Sequence, residues 1–201
     1  MPDIAVVILA AGAGSRYRNS GGQGPKQLAN INGKPMLQHG IDRVYELAPG
    51  STYTVLGHAW QTIADKISNT TVLVNTNWQQ GLGSSIALAT SEITGRMPDC
   101  QGLMFVLADQ PALGCEELAA MLSLFDGSQA VCASYEGSVG VPAIFPPQMF
   151  AALMALSADS GAKVLLQSIQ DSLLTLTMPG AAMDIDTIED LQRLKALNLA
   201  D

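Results

Sequence analysis

Short apolar runs recur along the chain at residues 4–9, 53–56, 71–74, 103–107, 130–133, 141–145 and 173–177. Most are strings of Val, Ile, Leu and Met without polar alternation, the pattern of strands covered on both faces. Helical patterns fill the intervals, at about residues 36–47, 60–67, 84–93, 116–125, 147–156 and 161–169, and a last one over 188–197. Regular alternation of the two predicts an α/β fold: a three-layer sandwich around a mostly parallel sheet. Gly140 and Pro142 set the 141–145 strand apart, as an edge or an antiparallel one. Ligands in such sheets bind beyond the carboxyl ends of the strands. Three small or polar segments fall there, residues 10–26, 75–85 and 108–111, so one rim is expected to collect them.

With 201 residues, 48% of them apolar, the chain can bury one substantial core, and residues 1–201 read as a single domain. No apolar run reaches membrane-spanning length, and the N-terminus lacks the features of a signal peptide. A net charge of −8 argues against nucleic acid or an anionic membrane as partner. Cys100, Cys115 and Cys132 are widely spaced and form no C-x-x-C pair, which fits reduced thiols in a cytoplasmic protein.

Charge is distributed unevenly. No acidic residue occurs between Asp3 and Asp42, yet four of the ten cations do: Arg16, Arg18, Lys26 and Lys34. They surround Ala10-Ala11-Gly12-Ala13-Gly14-Ser15, a stretch too small-sided for core. Bare backbone N–H groups flanked by Arg and Lys suit a bound polyphosphate. The loop is not a P-loop, because Gly33-Lys34 is followed by Pro35. Nor is it a dinucleotide fingerprint, since Tyr17 stands at the third glycine and no acid follows at the ribose position.

Asp109-Gln110-Pro111 follows the buried-looking run 103–108, where a carboxylate beside phosphates can carry Mg²⁺. An Asx turn before proline is the plainer alternative. Asp184-Ile185-Asp186-Thr187 offers two further carboxylates, although Asp186 or Thr187 could simply cap the last helix. Ser84 and Ser85 follow a polar loop containing Trp78 and Gly81. Ser84 can cap the next helix, or the two hydroxyls can read a base and ribose. His39 and His58 have no metal-ligand spacing, and no Ser/His/Asp or Cys/His arrangement is apparent.

Seven segments, in order, resemble the MobA-like nucleotidyltransferases, and among them the molybdenum cofactor cytidylyltransferases. They are Leu9-Ala10-Ala11-Gly12-x-Gly14-x-Arg16, Pro25-Lys26, Asn77-Trp78-x-x-Gly81-x-x-Ser84-Ser85, Asp109-Gln110-Pro111, Gly140-x-Pro142, Asp159-x-Gly161-Ala162-Lys163 and Asp184-Ile185-Asp186-Thr187-x-Glu189-Asp190. The resemblance implies a nucleotide-diphospho-sugar transferase-like (Rossmann-like) fold. It implies a Mg²⁺-dependent enzyme that joins a nucleoside monophosphate from an NTP to a phosphorylated acceptor of molybdopterin type, releasing pyrophosphate. A molybdoenzyme would be the client.

By the same resemblance, Arg16, Lys26 and Asp109 are catalytic, and Asp109 with Asp186 (or Asp184) holds the metal. Leu9, Ala10, Ala11, Gly12, Gly14, Ser15, Arg16, Lys26, Gly81, Ser84 and Ser85 bind the nucleotide. Ala11 stands where guanylyl-transferring relatives carry glycine, which favours CTP. Two departures stand out: a long stretch between Arg16 and Lys26, and Val141 where many cytidylyltransferases have histidine. Two alternatives remain, a non-catalytic accessory protein for a molybdoenzyme and a transferase acting on another sugar- or isoprenoid-phosphate.

Overall fold

The computed structural model describes residues 3–157, 161–169 and 172–197. Asp159, one of the motif positions above, lies outside them. In chain order the first half comprises β1 (Ile4–Ala10), α1 (Ser15–Asn19), β2 (Asn30–Ile31), β3 (Lys34–Pro35), α2 (Met36–Leu47), β4 (Thr52–Leu56), α3 (Trp60–Ala64), β5 (Thr71–Val74) and α4 (Leu82–Arg96). The second half comprises β6 (Gly102–Leu107), α5 (Cys115–Leu124), β7 (Val131–Tyr135), β8 (Ser138–Phe145), α6 (Phe150–Met154), α7 (Ala162–Ser168), β9 (Leu174–Thr177) and α8 (Ile188–Leu197).

Seven strands form one sheet in the order β5-β4-β1-β6-β8-β7-β9, and β8 alone runs antiparallel to its neighbours. The side-chain period of β1 shows why the sheet has three layers. Val7 and Leu9 face one way, into a cluster with Ile86, Ile93 and Leu153. Val6 and Ile8 face the other, against Leu37, Ile41 and Met121. Both faces of β1 are thus dry, so α4, α6 and α7 cover one side while α2, α3 and α5 cover the other. Truncating a side chain such as the fully buried Ile8 to alanine costs about 2–5 kcal/mol.

The strand carrying Pro142 is antiparallel, as its sequence allowed, but it is internal rather than an edge. Pairing with β7 runs from Cys132–Ala143 directly to Ala133–Gly140, so Val141 and Pro142 bulge out of the ladder. Pairing with β6 stops at Ala143. The proline thereby sits where no ladder N–H is required.

Two features were not anticipated. A small hairpin turns at Asn32-Gly33, both with positive φ (50° and 87°), as a two-residue turn demands. A third apolar cluster, off the sheet, joins Tyr17, Ile31 and Met36 to Ile185, Leu191 and Leu194. It fastens the C-terminal segment and α8 to the loop that follows β1. None of the described helices is long and apolar enough to cross a membrane.

Candidate active site

Leu9 of β1 lies opposite Leu107 of β6, so the segments leaving these strands emerge side by side. To one side of β1 the chain crosses to β4 and β5, and to the other lies β6. Crossovers part there, and open α/β sheets leave their ligand crevice at such a point.

The first segment is shaped by contacts that admit little substitution. Gly14 has φ 63°, and a Cβ at that position would come within 2.8 Å of Lys26 Cβ. The missing side chain lets the turn at Lys26–Leu28 close onto the glycine loop. Gln27, 4% exposed, completes the closure by donating from Nε2 to the carbonyls of Ala10 and Gly12, each at 2.8 Å. Lys26 is thereby aimed into the crevice, with its side chain only 11% exposed.

Two carboxylates meet it there. Lys26 Nζ donates to Asp109 Oδ2 at 2.6 Å and to Asp186 Oδ1 at 3.2 Å. Arg16 Nη1 lies 2.6 Å from the other oxygen of Asp186, but the Arg16 side chain is 76% exposed. A pair that open contributes about 0–1 kcal/mol to stability, so its importance is charge within the crevice.

Asp186 is carried by no sheet strand. Ile185, in the third cluster, donates its backbone N–H to the Asp109 carbonyl at 2.9 Å. Downstream, Ser20 Oγ accepts from the N–H of Ile188, and Asp190 accepts from Thr187 N–H and Oγ1. Those Thr187 bonds hold the Asp190 carboxyl below its ordinary range. Asp184 behaves oppositely: desolvation, then repulsion from Asp109, pushes its carboxyl upward, although Gln110 and Lys26 partly oppose the shift.

The residues singled out in the sequence sort into two adjoining cavities. One, of about 280 Å³, is lined by Leu9, Ala10, Gly12, Gly14, Ser15, Arg16, Lys26, Asp109 and Asp186, among others. The second, of about 320 Å³, shares Leu9, Gly12 and Asp109 with the first and adds Ala11, Trp78, Gly81 and Ser85. Ser84 is turned away: its hydroxyl donates to the Gly81 carbonyl at 2.8 Å and accepts from Asn75 Nδ2. Gly81, not Ser84, precedes the first residue of α4. Asp184 lines neither cavity.

Only two of the four clustered cations face this site. Lys34 pairs with Asp42 at 2.7 Å on α2, and Arg18 is exposed. Neither histidine lines these two cavities: His39 Nε2 donates to Ile31 O, and His58 packs edge-on against Trp78 at 5.4 Å.

Sequence reasoning missed two supporting residues. Gln27 adjoins Lys26 but resembles any polar loop residue. Asn75, buried at the end of β5, donates to the hydroxyls of Ser84 and Ser85, each at 2.9 Å.

The donor set fits a hard divalent cation. Asp109 and Asp186 converge on a single cationic nitrogen from segments distant in sequence, and their donors are oxygens. No cluster of three or more His, Cys, Asp or Glu that could hold a metal occurs among the described residues. One or two carboxylates, with the remaining positions left to phosphates and water, is the usual provision for Mg²⁺ beside a nucleotide.

Comparison with known proteins follows the same lines. A family model, the MobA-like NTP transferase domain, matches residues 6–173. The bifunctional protein GlmU of Halorhodospira halophila is 32% identical over 138 residues, which cover 68% of this chain and 28% of GlmU. The chain thus spans about a quarter of the length of the curated relatives it matches. Among solved structures, Rv0371c from Mycobacterium tuberculosis H37Rv superposes with a TM-score of 0.81 at 24% identity, covering 97% of this chain and 98% of that one. The same protein is known as a manganese complex, with a TM-score of 0.78 to this chain, 24% identity, and coverage of 96% and 98%. A nucleotidyl transferase from Methanothermobacter thermautotroptrophicus superposes at 0.82 with 19% identity, over 98% of this chain and 97% of that one. At these identities the structural likeness is one of fold.

Proposed function

The chain belongs to the MobA-like NTP transferase family, and from that membership we propose a nucleotidyl transfer: a nucleoside monophosphate passes from an NTP to a phosphorylated small molecule, with release of pyrophosphate. The observation that carries the proposal is the convergence of Arg16, Lys26, Asp109 and Asp186 on one cavity. Residues 1–201 act in it as a single nucleotidyltransferase domain. The triphosphate lies in the first cavity along residues 9–16, where backbone N–H groups, Arg16 and Lys26 meet its charge. Base and ribose extend over Ala11, Gly81 and Ser85, with Ser84 acting through Asn75 and the turn rather than by contact. Ala11 favours CTP.

Asp109 and Asp186 are the carboxylates that would hold Mg²⁺, which neutralises phosphate charge and orients the α-phosphoryl group when bound. The manganese complex of Rv0371c supports a divalent ion in this fold. An oxygen of the acceptor phosphate attacks the α-phosphorus in line, a new P–O bond forms, and the bond to the β-phosphate oxygen breaks. The attacking oxygen is already anionic at neutral pH, so the site needs no general base. This suits a crevice without histidine. The chain's contribution is then positioning and charge balance: Lys26 and Arg16 meet the negative charge that accumulates on departing pyrophosphate. The likeness of the seven sequence segments to molybdenum cofactor cytidylyltransferases supports a molybdopterin-type acceptor.

A nucleotide panel tests this reading. With Mg²⁺ present, CTP at a hundredfold excess over its dissociation constant should stabilise the protein by about 2.7 kcal/mol, ahead of GTP, UTP and ATP. Pyrophosphate should appear only when a phosphorylated acceptor is added. A preference for GTP overturns the nucleotide assignment, and binding without any turnover across phosphorylated acceptors favours an accessory role.

A further inference from the structure

Arg43 lies on α2, beside the buried Ile41 and Val44, and is itself half-buried. Asp42, Glu46, Glu116 and Glu117 line the same surface cavity as Arg43. Yet Arg43 forms no ion pair with any described carboxylate. Its Nη1 donates instead to two backbone carbonyls, those of Pro111 and Leu113. Asp42 is taken by Lys34 and Gln38 and Glu117 by the Gly114 N–H, and a half-buried guanidinium bonded to peptide oxygens is holding a piece of chain. That piece is the turn leaving β6, which begins at Asp109.

The turn is held from two directions. On the C-terminal side, Ile185 N–H binds the Asp109 carbonyl at 2.9 Å, and Gln110 Nε2 binds the Ala181 carbonyl at 2.7 Å. These bonds secure residues 109 and 110. Residues 111–113 are secured by Arg43 and by a long 3.3 Å bond from Leu113 N–H to the Gln110 carbonyl. The Arg43 bonds are charge-assisted and so the stronger of these.

We propose that Arg43 is a positioning residue for the proposed transfer: by clamping the Pro111 and Leu113 carbonyls it anchors the far side of the turn that begins at Asp109, and so limits the play of the metal-holding carboxylate. Misplacing such a group by about 1 Å is enough to cost on the order of a hundredfold in rate. The nucleotide loop, built on β1, Gly14 and Gln27, does not depend on this clamp.

The inference rests on the nucleotidyl-transfer reading, and the test separates the two. Arg43→Gln and Arg43→Lys are compared with the wild type in the full chain, using Mn²⁺ as the metal probe with CTP. Arg43→Gln should weaken Mn²⁺ binding and lower kcat by ~10–100-fold, the usual effect of losing a partner that orients a ligand. CTP affinity without metal should stay within about twofold, because that loop is supported separately. Amide exchange over residues 110–114 should accelerate in the metal-free protein, and Arg43→Lys should recover part of each loss. Unchanged Mn²⁺ affinity and kcat, with only a lower Tm, would overturn the proposal, as would equal losses in CTP and Mn²⁺ binding. If Arg43→Gln does not fold, Arg43→Lys decides by the same split. If the wild type binds no Mn²⁺ with CTP, the functional reading fails, and amide exchange alone judges the clamp.

Discussion

Lys26 Nζ stands 2.6 Å from Asp109 Oδ2 and holds Asp186 at 3.2 Å, so one ammonium bridges two carboxylates supplied by distant segments. A divalent ion on those oxygens would have to share the space with that ammonium. Metal alone should therefore bind weakly, and nucleotide phosphates, by taking over Lys26, should strengthen it. In Lys26→Gln the relation inverts: Mn²⁺ without nucleotide should bind more tightly than to the wild type, and CTP more weakly. Electron paramagnetic resonance titration of free Mn²⁺ reads both. Equal metal affinity in the two proteins would show that Lys26 does not compete.

Loss of Lys26 also leaves Asp109 and Asp186 facing each other in a partly desolvated crevice. The variant should lose about 1–3 kcal/mol of stability, recoverable with millimolar Mg²⁺. A denaturant titration with and without Mg²⁺ measures this, and a loss that Mg²⁺ does not repair contradicts it.

Gln27 bridges the Ala10 and Gly12 carbonyls with one buried amide. Gln27→Leu keeps the volume but strands the buried Ala10 acceptor, at about 1–3 kcal/mol, while the carbonyl of exposed Gly12 turns to water. The glycine loop should loosen, so KM for the NTP should rise more than kcat falls. Steady-state kinetics on both constants is the check.

Gly14→Ala forces a Cβ against Lys26 Cβ at 2.8 Å and places alanine at φ 63°. The left-handed conformation alone costs about 1–2 kcal/mol. CTP affinity should fall at least tenfold while the circular dichroism spectrum stays that of the wild type. Retained affinity would mean that the loop and Lys26 can separate without consequence.

Burial pushes the Cys132 thiol up to about 11 and raises Cys100 as well, and both are inaccessible. Cys115 is half-buried, its thiol also raised by burial. At pH 8 the native protein should therefore expose at most one slowly reacting thiol to Ellman's reagent, and all three after unfolding. Rapid reaction of two or more in the native state would contradict the packing described.

How much of this could be read from the chain depends on range. The sheet strands were visible because strings such as Leu103–Leu107 have no polar face. Their neighbours in the sheet followed only in outline. Pro142 announced an irregular strand, but only pairing shows that a bulge lets it sit between β6 and β7. The Asn32-Gly33 hairpin leaves no periodic pattern in the sequence because its strands are two residues each. At the site, the meeting of Lys26 with Asp109 followed from two adjacent strand ends. Asp186 reaches them through the Tyr17–Ile185 cluster, a tertiary contact with no local signature. Arg43 and Gln27 act on backbone carbonyls, partners that no side-chain pattern reveals. Lys34 misled for the opposite reason: it shares the acid-free stretch, yet its partner Asp42 lies just beyond it.

The most direct trial concerns Asp109, which pairs with Lys26 and at whose carboxylate the proposed function places the divalent ion and the triphosphate. Mn²⁺ binding is measured in the presence of saturating CTP for the wild type and for Asp109→Ala, with circular dichroism as the control for folding. The wild type should bind one Mn²⁺ per chain with CTP, and the folded variant should bind at least tenfold more weakly and release no pyrophosphate. A folded Asp109→Ala protein that binds Mn²⁺–CTP as the wild type does would mean that the metal and triphosphate are held somewhere else.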